Sequence, residues 1–408
     1  MLDCANIKHG LKIGTDGTIA PCCIAQNANF RDENGEILNV ETATSKQILN
    51  SPTRQILIEQ LDKGLKPGEC SACWESEEAG IESKRIRDTK RITSSEYTTD
   101  DIFLLDLQLG NTCNLACRTC GIEGTRKWKD DYKLIIDDKI SDQDLKDIVK
   151  KYSSPFQDES SFWNELPNFY SKAGFIDLYG GEPFLMSKQW DVLKELADNG
   201  KAKEKIIQIN SNGTVFSHKY LDVLKEFKDV LISFSIDGIG SKFEYLRHHG
   251  IWEEVNSTMM QWKEETKNYS NFSFNICFTV STYNFLDFPE MVAFAALNGF
   301  DIYCNFVYQP QYFKCSNIPD KKKKDLIDMY NSNVIKYTSS LPPFKGRFVR
   351  ENILPKLKEP VNFLLNSDCD KFFYQRFLTV TKLLDKSRNN NFGKTFPQLN
   401  HVLELDIT

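Results

Sequence analysis

The sequence predicts an α/β fold, because short β-rich runs alternate with helical patterns between residues 100 and 310. Six strands are predicted, over residues 103–109, 175–179, 206–209, 231–236, 272–280 and 302–307. Helical patterns lie between them, over residues 188–199, 219–228, 253–267 and 288–298. Repeated βαβ units predict a parallel, curved sheet whose ligand-binding loops lie at the carboxyl ends of the strands.

Two flanking regions have a different character. Residues 11–19 predict a β-hairpin with an Asp-Gly turn, and a helix is predicted over residues 44–63. Residues 311–408 predict helices and loops, and we expect the stretch 385–393 to be exposed. The predicted organisation is an N-terminal unit over residues 1–95, an α/β unit over residues 96–310 and a helical extension over residues 311–408.

The composition disfavours several classes of protein. With 408 residues, of which 40% are hydrophobic, the chain can bury a large core. The first residues lack the apolar segment of a signal peptide and no run is long enough to span a bilayer, so we expect a cytoplasmic protein. A net charge of −6 disfavours a broad basic face for nucleic acid, and the basic run 84–87 is expected to be a solvated helix face. In a reducing compartment, the twelve cysteines are more typical of metal ligands and buried thiols than of disulfides.

Three cysteines, Cys113, Cys117 and Cys120, follow the first predicted strand of the α/β unit with the spacing C-x3-C-x2-C. One short loop can place their three thiolates around a single metal cluster. Because an iron-sulfur cluster normally takes four cysteine ligands, three leave one iron open to a substrate or cofactor. A zinc site or three structural thiols are the alternatives, although no histidine stands nearby to complete a zinc tetrahedron.

Three further motifs follow the next predicted strands. Gly180-Gly181-Glu182-Pro183 follows the second strand, where two glycines allow the backbone to approach a ligand closely. The third strand ends in residues 210–214, Asn-Ser-Asn-Gly-Thr, and the fourth ends in residues 233–238, Ser-Phe-Ser-Ile-Asp-Gly. Taken alone, each motif is also compatible with an ordinary turn.

Together these motifs resemble those of radical S-adenosylmethionine (SAM) enzymes. Residues 113–120, Cys-Asn-Leu-Ala-Cys-Arg-Thr-Cys, are similar to the signature loop of that family, in which the open iron of a 4Fe-4S cluster chelates SAM. The resemblance implies a partial (β/α)6 barrel and reductive cleavage of SAM to a 5′-deoxyadenosyl radical. Thr119 stands where the family often has an aromatic residue against adenine, so that stacking interaction is expected to be missing.

The same resemblance implies roles for the residues of the downstream motifs. The Gly-Gly-Glu motif would hold the SAM ammonium group, a hydroxyl and a guanidinium would hold its carboxylate, and two polar side chains would shape the pocket. The ammonium group would be held by Gly180, Gly181 and Glu182, and the carboxylate by Ser235 and Arg247. The pocket would be shaped by Asn212 and Asp237.

A second set of cysteines lies in the N-terminal unit. Cys4 and Cys22 flank the predicted hairpin, which would place them side by side on paired strands, and the following helix leads to Cys70 and Cys73. Four thiolates can saturate a second 4Fe-4S cluster, and the arrangement resembles the twitch domain, the half-sized relative of SPASM domains. In the known enzymes that domain follows the barrel, whereas here it would precede it. Zinc or unligated thiols are the alternatives, and Cys23 is the alternative to Cys22.

The favoured function is a radical SAM enzyme that abstracts a hydrogen atom from a peptide or protein. A fully ligated second cluster favours an oxidative modification, because it can accept an electron from a substrate radical. The alternatives are dehydrogenation of a small molecule such as a sugar alcohol, and a non-catalytic iron-sulfur or zinc protein. Expected partners are the substrate and an electron donor such as flavodoxin or ferredoxin, with no nucleic acid and no membrane.

The sequence does not assign a catalytic acid, base or hydrogen donor. Polar residues that could project from the strands into the barrel are Asp106, Gln108, Tyr303, Asn305 and Tyr308. Thiols on or after the last two strands are those of Cys277, Cys304 and Cys315, for which buried structural roles are favoured.

Overall fold

The structure, a computed structural model, describes residues 2–92, 102–136, 141–153, 162–339, 341 and 354–404. The predicted boundary between residues 95 and 96 lies outside these ranges. The described residues form a mixed α/β fold around one mostly parallel sheet, which confirms the predicted fold class. Within these ranges the sheet is open and does not close into a barrel.

Ten strands occur among the described residues. They are β1 (Gly10–Ile13), β2 (Ile19–Ala20), β3 (Leu104–Leu107), β4 (Ala116–Cys117), β5 (Phe175–Leu178), β6 (Ile206–Ser211), β7 (Asp229–Ser235), β8 (Arg247–His248), β9 (Phe272–Val280) and β10 (Asp301–Phe306). Eight of them form the main sheet in the order β10-β9-β7-β6-β5-β3-β1-β2, while β4 and β8 form a separate antiparallel ribbon.

The six predicted strands correspond to β3, β5, β6, β7, β9 and β10. They pair in parallel and each lies beside the next one along the chain. This arrangement places all six carboxyl ends at one edge of the sheet, where the motifs of the sequence follow the strands.

The helices pack around this sheet. They are α1 (Ala5–His9), α2 (Ser45–Leu49), α3 (Pro52–Asp62), α4 (Ser71–Glu78), α5 (Lys84–Arg91), α6 (Lys129–Ile136), α7 (Asp142–Ser153), α8 (Phe162–Lys172), α9 (Ser187–Asp198), α10 (His218–Leu224), α11 (Ser241–Leu246), α12 (Trp252–Glu265), α13 (Phe288–Asn298), α14 (Asp320–Thr338), α15 (Glu359–Leu365), α16 (Lys371–Arg388), α17 (Phe392–Thr395) and α18 (Pro397–Leu403). The helix predicted over residues 44–63 is divided into α2 and α3, because Pro52 favours the first position of a helix over its interior. No described helix is both long enough and apolar enough to cross a membrane.

The main core lies on one face of the sheet. Fully buried aliphatic side chains, such as Ile207 on β6 and Ile232 on β7, pack in a cluster with Trp190 of α9 and Trp262 of α12. Because side chains alternate along a strand, the opposite face presents polar groups, among them Gln208. A polar face bounded by loops is a suitable place for a ligand site.

The N-terminal unit is continuous with the main sheet. β1 pairs in parallel with β3, and β2 completes the predicted hairpin. Helix α5 lies against the polar face, where Lys84 contacts Asp106 of β3 and Arg91 contacts Gln208 of β6. The expectation of a solvated helix face over residues 84–87 is therefore wrong for Lys84, which is only 7% exposed. Its side chain is buried because carboxylates of the sheet and of the helix itself pair with it.

The C-terminal region is helical, as expected, and it packs against the α/β unit. The expectation that residues 385–393 are exposed is wrong for Asp385, Arg388 and Phe392, which are buried, and correct for Lys386, Ser387 and Asn389. Arg388 pairs with Asp131 of α6 at 2.9 Å, and the Asp385 carboxylate accepts a hydrogen bond from the Phe392 N–H at 2.6 Å. The last helices therefore close one side of the region that carries the three-cysteine motif.

Candidate functional site

A cavity of about 820 Å³ lies at the carboxyl ends of the parallel strands. It is called the large cavity below. Eight of the predicted site residues line it: Cys113, Cys117, Cys120, Gly180, Gly181, Asn212, Ser235 and Arg247. The chain therefore gathers the motifs that follow four different strands around one space.

The cysteine loop, residues 113–120, is surrounded by donors to its sulfur atoms. Cys113 Sγ lies 3.4 Å from the Leu115 N–H nitrogen and 3.6 Å from the Asn212 amide nitrogen. Arg247 Nη1 lies 3.7 Å from Cys117 Sγ. A hydrogen bond with Cys120 lowers the pKa of Cys117 to about 7, whereas burial raises the pKa of Cys113 to about 12. Donors and a cation beside sulfur favour the thiolate, which is the form that binds a metal, and at Cys113 the donors oppose the stronger effect of burial.

The Gly-Gly turn is fixed against the cysteine loop. Gly180 and Gly181 have φ angles of 78° and 57°, in the left-handed region that favours glycine. A Cβ atom on Gly181 would lie 2.5 Å from the Thr112 carbonyl oxygen, which accepts a hydrogen bond from the Glu182 N–H at 2.8 Å. Glycine is therefore required here by a close approach of two backbone segments.

The Glu182 side chain lies behind the cavity wall. It is fully buried, and its carboxylate accepts hydrogen bonds from the Asn212 N–H at 2.6 Å, the Ser211 hydroxyl at 3.0 Å and the Phe184 N–H at 3.2 Å. Burial raises the pKa of Glu182 to about 7, although these hydrogen bonds oppose the shift. Of the predicted SAM-binding residues, Glu182 thus supports the turn after β6, while Gly180 and Gly181 form the wall itself.

Arg247 and Ser235 lie together on the wall of the large cavity. Arg247 pairs with Cys117 across the β4–β8 ribbon, which fixes its position beside the cysteine loop. Its Nη2 atom lies 2.8 Å from Asp237 Oδ2, and Asp237 Oδ1 accepts the Thr279 N–H at 3.0 Å. Arg247 Nε is buried and has no hydrogen-bond partner among the described residues. The guanidinium therefore keeps a free donor at this site.

Sequence reasoning missed Arg118, a residue within the cysteine loop. Its guanidinium is fully buried, lies 2.6 Å from the Asp385 carboxylate and donates to the Tyr245 carbonyl at 3.1 Å. It also stacks on the Tyr245 ring at 3.6 Å from the ring centroid. Asp385 is 267 positions away in sequence, so no local pattern could have revealed this anchor.

The four-cysteine set, Cys4, Cys22, Cys70 and Cys73, lines a second cavity. Cys4 precedes α1, Cys22 follows β2, Cys70 ends a 3-10 turn and Cys73 lies in α4. The expectation that Cys4 lies on a strand paired with that of Cys22 is wrong, because α1 separates Cys4 from β1. The hairpin nevertheless brings the two residues to the same cavity.

Cys23 lies apart from the four-cysteine set. It follows Cys22 directly, yet it lines the large cavity and not the second one. Its N–H donates to Asp106 Oδ2 at 3.1 Å. The next residues, Ile24 and Ala25, line both cavities. A single stretch of backbone therefore forms the wall between the four-cysteine set and the large cavity.

The structure also distributes the polar residues that the sequence left unassigned. Gln108, Asn305 and Tyr308 line the large cavity, Tyr303 lines another one, and Asp106 is buried beside Lys84. The Tyr308 hydroxyl donates to the Ala72 carbonyl at 3.0 Å, next to Cys73. Among the described residues that line the large cavity, Cys23 is the thiol outside both predicted metal sets; Cys277, Cys304 and Cys315 are not among them.

The residues present fit iron-sulfur clusters by their chemistry. Thiols, N–H donors to sulfur and a buried guanidinium donor stand around the large cavity, and four thiols stand around the second one. Among the described residues, no group of three or more His, Cys, Asp or Glu side chains is arranged to hold a single metal ion.

Two family models match this chain. The model of the radical SAM superfamily matches residues 107–295, and the model of an iron-sulfur cluster-binding domain, SPASM, matches residues 4–74. The order of the two matches confirms that the cluster-binding domain precedes the radical SAM domain. No curated protein matches the chain.

Several solved structures are similar to the chain at low identity. Native anSMEcpe with bound AdoMet is 18% identical, with a TM-score of 0.36, over 56% of this chain and 59% of that one. Streptococcus suis SuiB bound to S-adenosylmethionine is 13% identical, with a TM-score of 0.35, over 56% of this chain and 46% of that one. SuiB bound to its precursor peptide SuiA is 11% identical, with a TM-score of 0.37, over 83% of this chain and 71% of that one. The first two matches thus cover less than two thirds of those proteins.

The family matches decide between the classes that the sequence left open. Radical SAM proteins are enzymes that use a 4Fe-4S cluster and SAM, and SPASM domains bind auxiliary iron-sulfur clusters. These matches favour the enzyme interpretation over the non-catalytic alternative. The chain thus carries a radical SAM domain over residues 107–295 and, ahead of it, an iron-sulfur cluster-binding SPASM domain over residues 4–74.

Proposed function

We propose that this enzyme oxidises a side chain of a peptide or protein substrate. The cysteine loop holds the cluster that binds SAM, and the four-cysteine set holds an auxiliary cluster. When bound, the first cluster supplies the electron that cleaves SAM to the 5′-deoxyadenosyl radical, which abstracts a hydrogen atom from the substrate. The residues of the chain position SAM and the substrate for that step.

One observation carries the oxidative assignment. Ile24 and Ala25 line both cavities, so one stretch of backbone separates a substrate in the large cavity from the four-cysteine set. The four-cysteine set would hold its cluster behind this segment, and that cluster would supply an electron acceptor with no open ligand position. Loss of a hydrogen atom, an electron and a proton from the substrate is in total a two-electron oxidation.

The proposed SAM contacts follow from the wall of the large cavity. The backbone at Gly180 and Gly181 receives the ammonium group, and Ser235 and Arg247 bind the carboxylate. Arg247 is suited to this role because Asp237 fixes its orientation and its side chain lines the large cavity. Charge-assisted hydrogen bonds to a carboxylate add both affinity and a defined orientation.

A peptide or protein is the proposed substrate class because the turns over residues 210–214 and 233–238 are similar to those of peptide-modifying radical SAM enzymes. A cavity of about 820 Å³ is large enough for SAM together with an inserted side chain. Gln108, Asn305 and Tyr308 offer polar groups to that side chain or its backbone. We further propose an external donor such as flavodoxin or ferredoxin, and a cytoplasmic location, in keeping with twelve free cysteines.

The proposal is tested with anaerobically reconstituted protein, dithionite, SAM and short precursor peptides encoded beside its gene. We expect 5′-deoxyadenosine and a peptide product that has lost the mass of two hydrogen atoms. A variant with Cys113, Cys117 and Cys120 all changed to Ala is the control and should form neither product. A product whose mass is unchanged in H2O but which incorporates deuterium in D2O would instead show a redox-neutral reaction. Oxidation of sugar alcohols but of no peptide would favour the small-molecule alternative.

A further inference from the structure

Lys84 is a buried cation between the two cavities. It lies on α5, is 7% exposed, and lines the second cavity together with the four-cysteine set. Its Nζ atom lies 3.0 Å from Asp88 Oδ2 and 3.3 Å from Asp106 Oδ1.

The same ion pairs connect Lys84 to the wall of the large cavity. Asp106 binds Lys84 through Oδ1 and accepts the Cys23 N–H through Oδ2. One carboxylate therefore joins the lysine beside the second cavity to the segment that separates the cavities.

Lys84 shares one of its two carboxylate partners with other cations. Asp88 is shared with Arg87 and Arg91, whose nitrogens lie 3.4 and 3.1 Å from Oδ1. Arg85, the other cation at the second cavity, is paired with Glu77 at 2.7 Å. Lys84 is thus the buried cation of this cavity wall, and Asp106 connects it to Cys23 at the large cavity.

We propose that Lys84 is a positioning residue that raises the reduction potential of the auxiliary cluster and holds residues 23–25 against it. Reduction adds a negative charge to the cluster, and a buried cation nearby stabilises that charge because screening by water is weak. Hydrogen bonds, net charge and solvent exposure are the properties that set cluster potentials. The inference rests on the proposed binding of a cluster by the four-cysteine set.

The test measures midpoint potentials in the full chain with Cys113, Cys117 and Cys120 changed to Ala, so that only the auxiliary cluster remains. Potentials are read by redox titration with EPR detection, and iron content is measured beside them. Lys84→Met should lower the potential, and Asp106→Asn, which removes a negative charge from the same pair, should raise it. Lys84→Arg should stay near the parent value. Lys90→Met is the matched control on α5, because Lys90 is exposed and pairs with Glu82 at the surface.

Shifts of opposite sign in Lys84→Met and Asp106→Asn, with no shift in Lys90→Met, would support the proposal. A purely structural role would not produce that pair of signs. Shifts of the same sign, or none, would overturn the inference while leaving the proposed function intact. If Lys84→Met binds no iron, Asp106→Asn decides, and a potential that falls or stays constant overturns the inference. Absence of iron from the parent protein would overturn the auxiliary cluster, and with it both proposals.

Discussion

The cysteine loop and the four-cysteine set differ in how the chain brings their thiols together. The loop places three thiols within eight residues and is fixed by distant groups, such as Asp385 at Arg118 and Gly181 at Thr112. The four-cysteine set draws on α1, the end of β2 and the start of α4, which converge because the hairpin joins the main sheet. The thiols of the cysteine loop are close in sequence but are held in place by residues distant in sequence. The thiols of the four-cysteine set are distant in sequence and meet only when the N-terminal unit folds.

The two regions also differ in what can reach them. The thiols of the loop line a cavity of about 820 Å³ beside the Gly-Gly turn and Arg247. The four-cysteine set lines a separate cavity with Lys84 and Arg85, and residues 24 and 25 stand between the two. The proposed function places SAM and the substrate in the first region and an electron acceptor in the second, and mutations can separate these roles.

The largest difference is expected between Cys117→Ala and Cys73→Ala. Loss of a ligand from the cysteine loop should abolish formation of 5′-deoxyadenosine. Loss of a ligand from the four-cysteine set should leave SAM cleavage measurable but abolish formation of the oxidised product. Both products are quantified by mass spectrometry under single-turnover conditions. If the two variants lose SAM cleavage equally, the division of roles is wrong.

Arg118 tests how strongly the loop depends on distant support. Arg118→Met leaves Asp385 without its buried partner, and removing one member of such a pair costs about 3–5 kcal/mol of unfolding free energy. The matched control is Lys194→Met, which removes an exposed pair with Asp198 and should cost less than about 1 kcal/mol. Urea denaturation of the metal-free proteins measures both. Equal effects would show that Arg118 does not anchor the loop.

Two glycines in left-handed backbone offer a smaller test. Gly181→Ala combines an unfavourable φ of 57° with a Cβ 2.5 Å from the Thr112 oxygen, and we expect a loss of about 1–3 kcal/mol with lower cluster content. Gly80→Ala, after α4, has a φ of 72° but open space around its Cβ, so only the backbone strain of about 1 kcal/mol is expected. Iron content and thermal unfolding are measured for both. A Gly80→Ala effect as large as that of Gly181→Ala would contradict the role of the close approach.

Much of the fold was predictable because its signals are local. Alternating β-rich and helical patterns identified all six parallel strands, and the resemblance of the cysteine motifs identified the radical SAM family and the order of its cluster-binding domain. The sequence did not predict that β1 extends the main sheet, because the side-chain pattern of a strand does not specify which strand it pairs with.

The predictions that failed concern charged residues with distant partners. The sequence around Lys84 and around Asp385 is typical of an exposed surface. Both side chains are nevertheless buried, because Lys84 pairs with Asp106 and Asp385 pairs with Arg118. In each case the burial of a charge depends on a partner from another element, which the local pattern does not contain.

The two regions are also expected to differ in the sign of their pH dependence. The pKa of Glu182 rises from 4.5 to about 7 through burial, so the folded state keeps a proton that the unfolded state has lost between these pH values. Stability should therefore fall as pH rises through this window, by an amount on the order of 1–3 kcal/mol, and Glu182→Gln should remove that part of the slope.

Near the four-cysteine set, burial opposes ionisation of Asp88, but Lys84, Arg87 and Arg91 lower its pKa from 3.8 to about 2. Its contribution is present above pH 3.8 and is lost as pH falls towards 2, so Asp88→Asn should flatten only the acid limb. Unfolding free energies of both variants and the parent at pH 3, 5 and 7.5 measure these slopes, and a Glu182→Gln slope equal to that of the parent would show that this carboxyl is ionised in the fold.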